Sequence, residues 1–155
     1  MVRLVAIAPL IFLAGCMTIA ATPPAPQLAG IGEIRLGLAE MDGVPRAVQD
    51  MVFEEVGRAA SLRGIPFNTE PATLSITGYL TLVAGASGTL AIYVFDFTGS
   101  QDAAGERLLR VGGQVPTLEA AADPWQAIDR NLVIRMVGHL FEEFDAWLAA
   151  NAVGA

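Results

Sequence analysis

Apolar and polar residues alternate with two different periods along this chain, and the changes of period mark out its elements. Residues 33–38, Glu33-Ile34-Arg35-Leu36-Gly37-Leu38, alternate with period two and predict a strand. Asp42-Gly43 marks a turn, and Pro45 suits the first turn of a helix. Val48, Val52, Val56 and Ala59 then recur at helical spacing, flanked by Met51 and Phe53, with Gly64 as the stop. Ile65-Pro66-Phe67 predicts a short edge strand, because proline cannot donate to a central ladder.

Residues 74–82 give the clearest strand. Leu74, Ile76, Leu80 and Leu82 point one way, and Ser75, Thr77, Tyr79 and Thr81 the other. Gly85-Ala86-Ser87-Gly88 predicts a turn, 90–98 a second strand, 99–106 a polar loop and 107–115 a third strand ended by Pro116. One register satisfies both hairpins. It sets Leu82 opposite Ala91, Leu80 opposite Tyr93 and Gly78 opposite Phe95, then Phe97 opposite Leu109, Phe95 opposite Val111 and Asp96 opposite Arg110. Tyr93, Phe95, Phe97, Leu109 and Val111 would then share the core face. Tyr79, Thr77, Thr81, Ile92, Val94, Asp96 and Arg110 would share the outer face. A slip of one residue would bury Asp96 and Arg110, so the pattern selects this pairing.

Asp123-Pro124-Trp125-Gln126 has the form of a helix start, with a capping Asp, Pro at the first helical position and Gln three residues after the cap. Trp125, Ile128, Leu132, Met136, Leu140, Phe144 and Trp147 continue as one stripe to about residue 150. The stripe is expected to be core. The fold class expected is α+β: a mostly antiparallel sheet of about four strands, with two helices packed on one face as a two-layer sandwich. The other sheet face stays open, or free for a partner.

The amino-terminal segment follows neither period. Twelve of the first 15 residues are hydrophobic, after Arg3 as the single charge. The run ends in Leu13-Ala14-Gly15-Cys16, which resembles a bacterial lipobox at all four positions. The resemblance implies a lipoprotein signal peptide over residues 1–15, cleavage before Cys16 and acylation of Cys16. Two or three acyl chains would anchor the protein to a membrane far more firmly than one, since each buried CH₂ adds about 0.8 kcal/mol. Met17 stands where Asp would retain a lipoprotein in the inner membrane, which favours the outer membrane. Two other readings stay open, a transmembrane anchor and a plain secretory signal. No charge falls between Arg3 and Glu33, but Pro9, Thr18 and Thr22 interrupt the window of roughly 18–20 apolar residues that a span needs. Residues 16–31 include Thr22-Pro23-Pro24-Ala25-Pro26, an extended tether. A single periplasmic domain is then expected over 32–150, with a short tail at 151–155.

Composition narrows the chemistry. The chain has 155 residues, 9 basic against 16 acidic, a net charge of −7, one His and one Cys. Every basic residue is Arg. The acidic balance argues against nucleic acid as a partner. One Cys allows no internal disulfide and no thiolate metal cage. Ser61, Ser75, Ser87 and Ser100 lack the sharp strand-to-helix turn of a nucleophile, and Gly112-Gly113 lies inside a strand rather than leading into a helix. His139, Glu142 and Glu143 share a helix face near Asp145 and could hold a metal weakly, but no distant ligand completes such a site. No catalytic, metal or cofactor site is therefore expected. The outer sheet face is the candidate for binding, through Tyr79, Ile92, Val94, Asp96 and Arg110, with the loop at 99–106 as a second contact. Tyr and Arg are enriched where protein partners bind.

Beyond the lipobox, residues 74–147 resemble small uncharacterised alphaproteobacterial lipoproteins and the auxiliary lipoproteins of envelope transport and assembly machines. The resemblance is carried by Val94-Phe95-Asp96, Gly105-Glu106-Arg107, Arg110-Val111 and Asp123-Pro124-Trp125. It implies a lipid-anchored, non-enzymatic envelope protein facing the periplasm, whose domain binds or stabilises a protein partner. The alternative is a small-ligand or lipid binder with a cavity between sheet and helices near Trp125, Tyr93 and Phe95. A metal or hydrolytic enzyme acting through His139 and Glu143 is the third.

Overall fold

The computed structural model describes residues 27–28, 32–39, 41–85, 88–99, 106–117 and 123–151. Cys16, Met17 and the proline run of the tether lie outside these residues, as do Ser87 and residues 100–105 of the polar loop.

The fold is α+β in two layers. A four-stranded sheet is built from β3 (Leu36–Leu38), β4 (Leu74–Gly85), β5 (Gly88–Gly99) and β6 (Arg107–Pro116), in that spatial order. Two helices, α1 (Arg46–Ser61) and α2 (Arg130–Asn151), cover one face. β4, β5 and β6 form an antiparallel meander, whereas β3 pairs with β4 in parallel, since α1 intervenes and returns the chain to the same end of the sheet. The sheet is thus mixed, and mostly antiparallel as expected. All six predicted pairs are present, including Gly78 with Phe95 and Asp96 with Arg110. A bulge sets in at Phe97/Thr98, where Thr98 faces Arg107 and Leu108 is the extra residue.

The first strand is shorter than its pattern. Gly32–Glu33 (β2) pairs instead with Gln27–Leu28 (β1) in a separate two-stranded ribbon, which takes in the last part of the expected tether. Thr73 explains the division. Its hydroxyl accepts the Arg35 N–H at 2.8 Å and donates to the Glu33 carbonyl at 3.1 Å, so this stretch is held by a side chain before the ladder begins.

The carboxy-terminal helix also departs from expectation. Asp123 does cap, accepting the Trp125 N–H at 3.0 Å, but it starts only a single 3₁₀ turn, Pro124–Ala127. Ile128 is extended, and α2 starts only at Arg130. The cause is a second capping residue: Asp129 accepts the Leu132 N–H at 2.7 Å and begins a new helix. Two cap signals six residues apart yield two elements rather than one.

The core lies between sheet and helices. Val48, Val52, Val56 and Ala59 of α1 are buried, as are Ile128, Leu132, Met136, Leu140 and Phe144 of the later stripe. Val133, Val137 and Phe141 are buried too, so α2 presents a wider face than one stripe. Trp125 and Trp147 reach only the margin. Phe97 stacks on Phe144 with ring centroids 4.8 Å apart, joining β5 to α2. Full burial of each such side chain stabilises by about 1.5–3 kcal/mol. Arg130 meets Glu54 at 2.5 Å, and Arg63 meets Asp145 at 2.7 Å while lying over the Phe141 ring. These two pairs join start to middle and end to end, so the helices run in the same direction.

Candidate functional site

The register lays out the outer sheet face in rows. Thr77, Asp96 and Arg110 form one row, and Tyr79, Val94 and Gly112 the next. Thr81, Ile92 and Gln114 follow, then Val83, Leu90 and Pro116. Tyr79 is 53% exposed, Val83 46% and Ile92 37%. Val94 and Leu90 lie half-buried between them. Gly112 has no side chain to shield Val94, so the apolar surface continues across β4 and β5. Val83 was not foreseen, because the predicted strand stopped at Leu82; the alternation simply continues to Gly85.

Asp96 and Arg110 border this patch. Arg110 donates to Asp96 through Nε at 2.7 Å and through a terminal nitrogen at 2.6 Å, a two-pronged pair. Arg107 approaches the same carboxylate at 4.0 Å. The Asp96 carboxyl is held below the usual carboxylate range, first by its hydrogen bond from Arg110, against the opposing effect of burial. Asp96 is buried under the guanidinium although it belongs to the solvent face. The five predicted partner-face residues are thus brought together, three apolar and two in an ion pair.

His139 does other work. Its Nδ1 is 2.8 Å from the Tyr93 hydroxyl, and its Nε2 is 3.7 Å from Glu143. Tyr93 is buried, which pushes its hydroxyl pKa up. Gly113 makes room for that hydroxyl, since a Cβ there would collide with the Tyr93 oxygen. Gly113 thus serves close packing. Asp145 is engaged by Arg63, away from His139. Among the described residues no three His, Cys, Asp or Glu side chains gather as a metal site.

Near Tyr93 and Phe95 the rings pack closely on their neighbours. Phe95 fits over Gly78, where a Cβ would sit 2.9 Å from its ring, and Tyr93 lies 5.9 Å from Phe95. The alternative reading places a ligand cavity here, near Trp125, Tyr93 and Phe95. A cavity of about 430 Å³ opens elsewhere, between β3 and the first half of α1. Sequence reasoning missed it. The signals present were Phe53, one residue off the buried α1 stripe, and Asn68, a residue type that tolerates a turn away from a strand.

Glu55, also unforeseen, is buried on α1 and paired with Arg58, whose Nε donates at 3.0 Å. That hydrogen bond, the largest cause, holds the Glu55 carboxyl below its ordinary value. Among the described residues no helix is long and apolar enough to cross a membrane.

No protein-family model matches the chain, and no curated protein matches it. Solved structures resemble it distantly. Protein XCC0632 from Xanthomonas campestris aligns with a TM-score of 0.49 at 12% identity, over 81% of this chain and 86% of that one. A candidate lipoprotein from Caulobacter crescentus gives 0.48 at 14% identity, over 75% and 90%. The PelC dodecamer subunit from Paraburkholderia phytofirmans gives 0.44 at 10% identity, over 75% and 92%. Likeness at this level assigns no function.

Proposed function

We propose that the protein is a non-enzymatic lipoprotein of the bacterial cell envelope, anchored through acyl chains on Cys16 and facing the periplasm. Its domain holds a protein partner on the outer sheet face. The observation that supports this is the continuous apolar surface of Tyr79, Val83, Ile92 and Val94 beside the Asp96–Arg110 pair. Exposed apolar patches rimmed by polar groups are typical of partner sites. The lipobox supports the anchor, and Met17 supports the outer membrane.

Two measurements test the proposal. Mass spectrometry of the membrane-extracted protein should show a chain that starts at Cys16 and carries acyl mass, with Cys16→Ala left unacylated. In-cell crosslinking and affinity purification should then recover a discrete partner. Tyr79→Ala combined with Val94→Asp should lose that partner while keeping the native circular dichroism and melting temperature. Undiminished capture by that variant would overturn the sheet-face assignment.

A further inference from the structure

The far half of β3 has a free edge. Successive residues in a strand send their backbone groups to opposite sides. Leu74 donates to the Arg35 carbonyl at 3.1 Å and Ala39 to the Ile76 carbonyl at 2.9 Å, so Arg35, Gly37 and Ala39 face β4. Leu36 and Leu38 face the other way. At Leu36 the edge is filled by the chain itself: its N–H donates to Pro66 at 2.9 Å and its carbonyl accepts from Asn68 at 2.7 Å, in a parallel bridge to Phe67. Asn68 then adopts a φ of 51° and turns the chain away. Leu38 is left with an outward N–H and carbonyl that meet no described residue.

The 430 Å³ cavity opens beside this edge. Leu38, Ala39 and Phe53 supply its apolar surface over the buried Met41, with Arg46, Gln49 and Asp50 on α1. Gln49 fixes the wall, accepting from Met41 N–H at 3.3 Å and donating to the Val44 carbonyl at 2.8 Å. The segment that fills the first half of the edge shows how the second half can be filled. Phe67 lies against Gly57, where a Cβ would come within 2.9 Å of its ring, and against Phe53 at 4.8 Å. The cavity continues that groove one helical turn onward.

We propose that this groove takes an extended peptide segment of a partner protein. The segment adds to the β3 edge by exchanging hydrogen bonds with the N–H and carbonyl of Leu38, and it sets one apolar side chain against Phe53, Leu38 and Met41. Strand addition of this kind draws affinity from main-chain bonds and selectivity from alternate side-chain pockets. The proline run of the tether fits poorly. Pro23, Pro24 and Pro26 of the tether lack the N–H that the edge requires. The proposal is independent of the outer sheet face.

The test uses the full lipidated chain in nanodiscs and a phage-displayed library of random peptides. Enriched peptides should carry an apolar residue in a β-favouring stretch and slow hydrogen exchange at the Leu38 amide. N-methylation of their edge-facing amides should weaken binding by about tenfold or more, as should Phe53→Asp, since Phe53 is 40% exposed beside the cavity. Tyr79→Ala with Val94→Asp should leave peptide affinity unchanged. Three results would each overturn the proposal: no enriched peptide, enriched peptides that leave the Leu38 amide unprotected, or affinity indifferent to N-methylation. The N-methylated peptides keep the test decisive if Phe53→Asp fails to fold.

Discussion

Two adjacent glycines of β6 should respond very unequally to the same substitution. In Gly113→Ala the new Cβ would collide with the Tyr93 hydroxyl oxygen and lie 2.7 Å from the ring carbon that bears it. The ring has little freedom to withdraw. It is 3% exposed, lies beside Phe95 and is held to His139 Nδ1 at 2.8 Å. Overpacking of this kind costs about 1–3 kcal/mol. Stripping a buried hydroxyl of its partner costs about 1–3 kcal/mol more. Against this, replacing Gly by Ala restricts the unfolded chain and returns about 0.4–1 kcal/mol. The net loss is roughly 2–4 kcal/mol, or a fall in melting temperature of about 6–20 °C for a domain of this size. In Gly112→Ala the Cβ meets the Tyr93 carbonyl oxygen at 3.5 Å and a Val94 methyl at 3.6 Å, ordinary contacts, so the change stays within about 0.5 kcal/mol. Urea unfolding followed by tryptophan fluorescence measures both. Tyr93→Phe should relieve part of the Gly113→Ala loss, since the closest clash is with the hydroxyl. Equal effects at the two glycines, or no coupling to Tyr93, would refute the packing described for this corner.

Three further changes bear on particular contacts. The folded Asp96 carboxyl lies below its ordinary pKa, so its stabilisation is complete above that ordinary value and is lost as pH falls through the lower folded one. Stability of Asp96→Asn should therefore fall less steeply than that of the native protein below about pH 4, the ordinary Asp range, in acid-unfolding curves. Asp129→Ala removes the cap of α2 and should cost about 1 kcal/mol, with faster hydrogen exchange at the Leu132 amide. Gly78→Ala would bring a Cβ to 2.9 Å from the Phe95 ring and 3.0 Å from the Met41 methyl, and should cost about 1–3 kcal/mol in the same urea assay.

The meander was legible because period-two alternation and charge burial both select one register. Asp96 and Arg110 could not be turned inward, and Gly78 matched Phe95, so sequence pattern and packing agreed. What escaped the pattern was decided by single polar side chains. Thr73 divides an apparent strand and Asp129 divides an apparent helix, through side-chain hydrogen bonds that periodicity does not register. The groove escaped for a different reason. It depends on where the chain leaves an edge at Asn68, and on Leu38 standing beyond that point, which no local pattern encodes. The outer face was legible in composition but not in length, because Val83 lies past the expected strand end.

The direction of the elements relates the groove to the proposed anchor. The chain reaches the sheet through Gly32–Glu33, beside Thr73, at the end where β4 begins. Both helices finish at that end, where Arg63 joins Asp145. The groove lies at the opposite end, with the α1 start, about 24 Å away along the helix. Ten residues lie between Cys16 and Gln27, and the eleven steps between the two reach about 34 Å when extended. A protein anchored at Cys16 would have its tether join the domain at the helix ends, with the β3–α1 groove at the far end of the domain. Two surfaces would then be open at once to different segments of a partner, the flat face for a folded domain and the edge groove for an extended chain. If a partner uses both, Phe53→Asp and Tyr79→Ala with Val94→Asp would each weaken capture, and combining them would abolish it, because linked contacts multiply rather than substitute for one another.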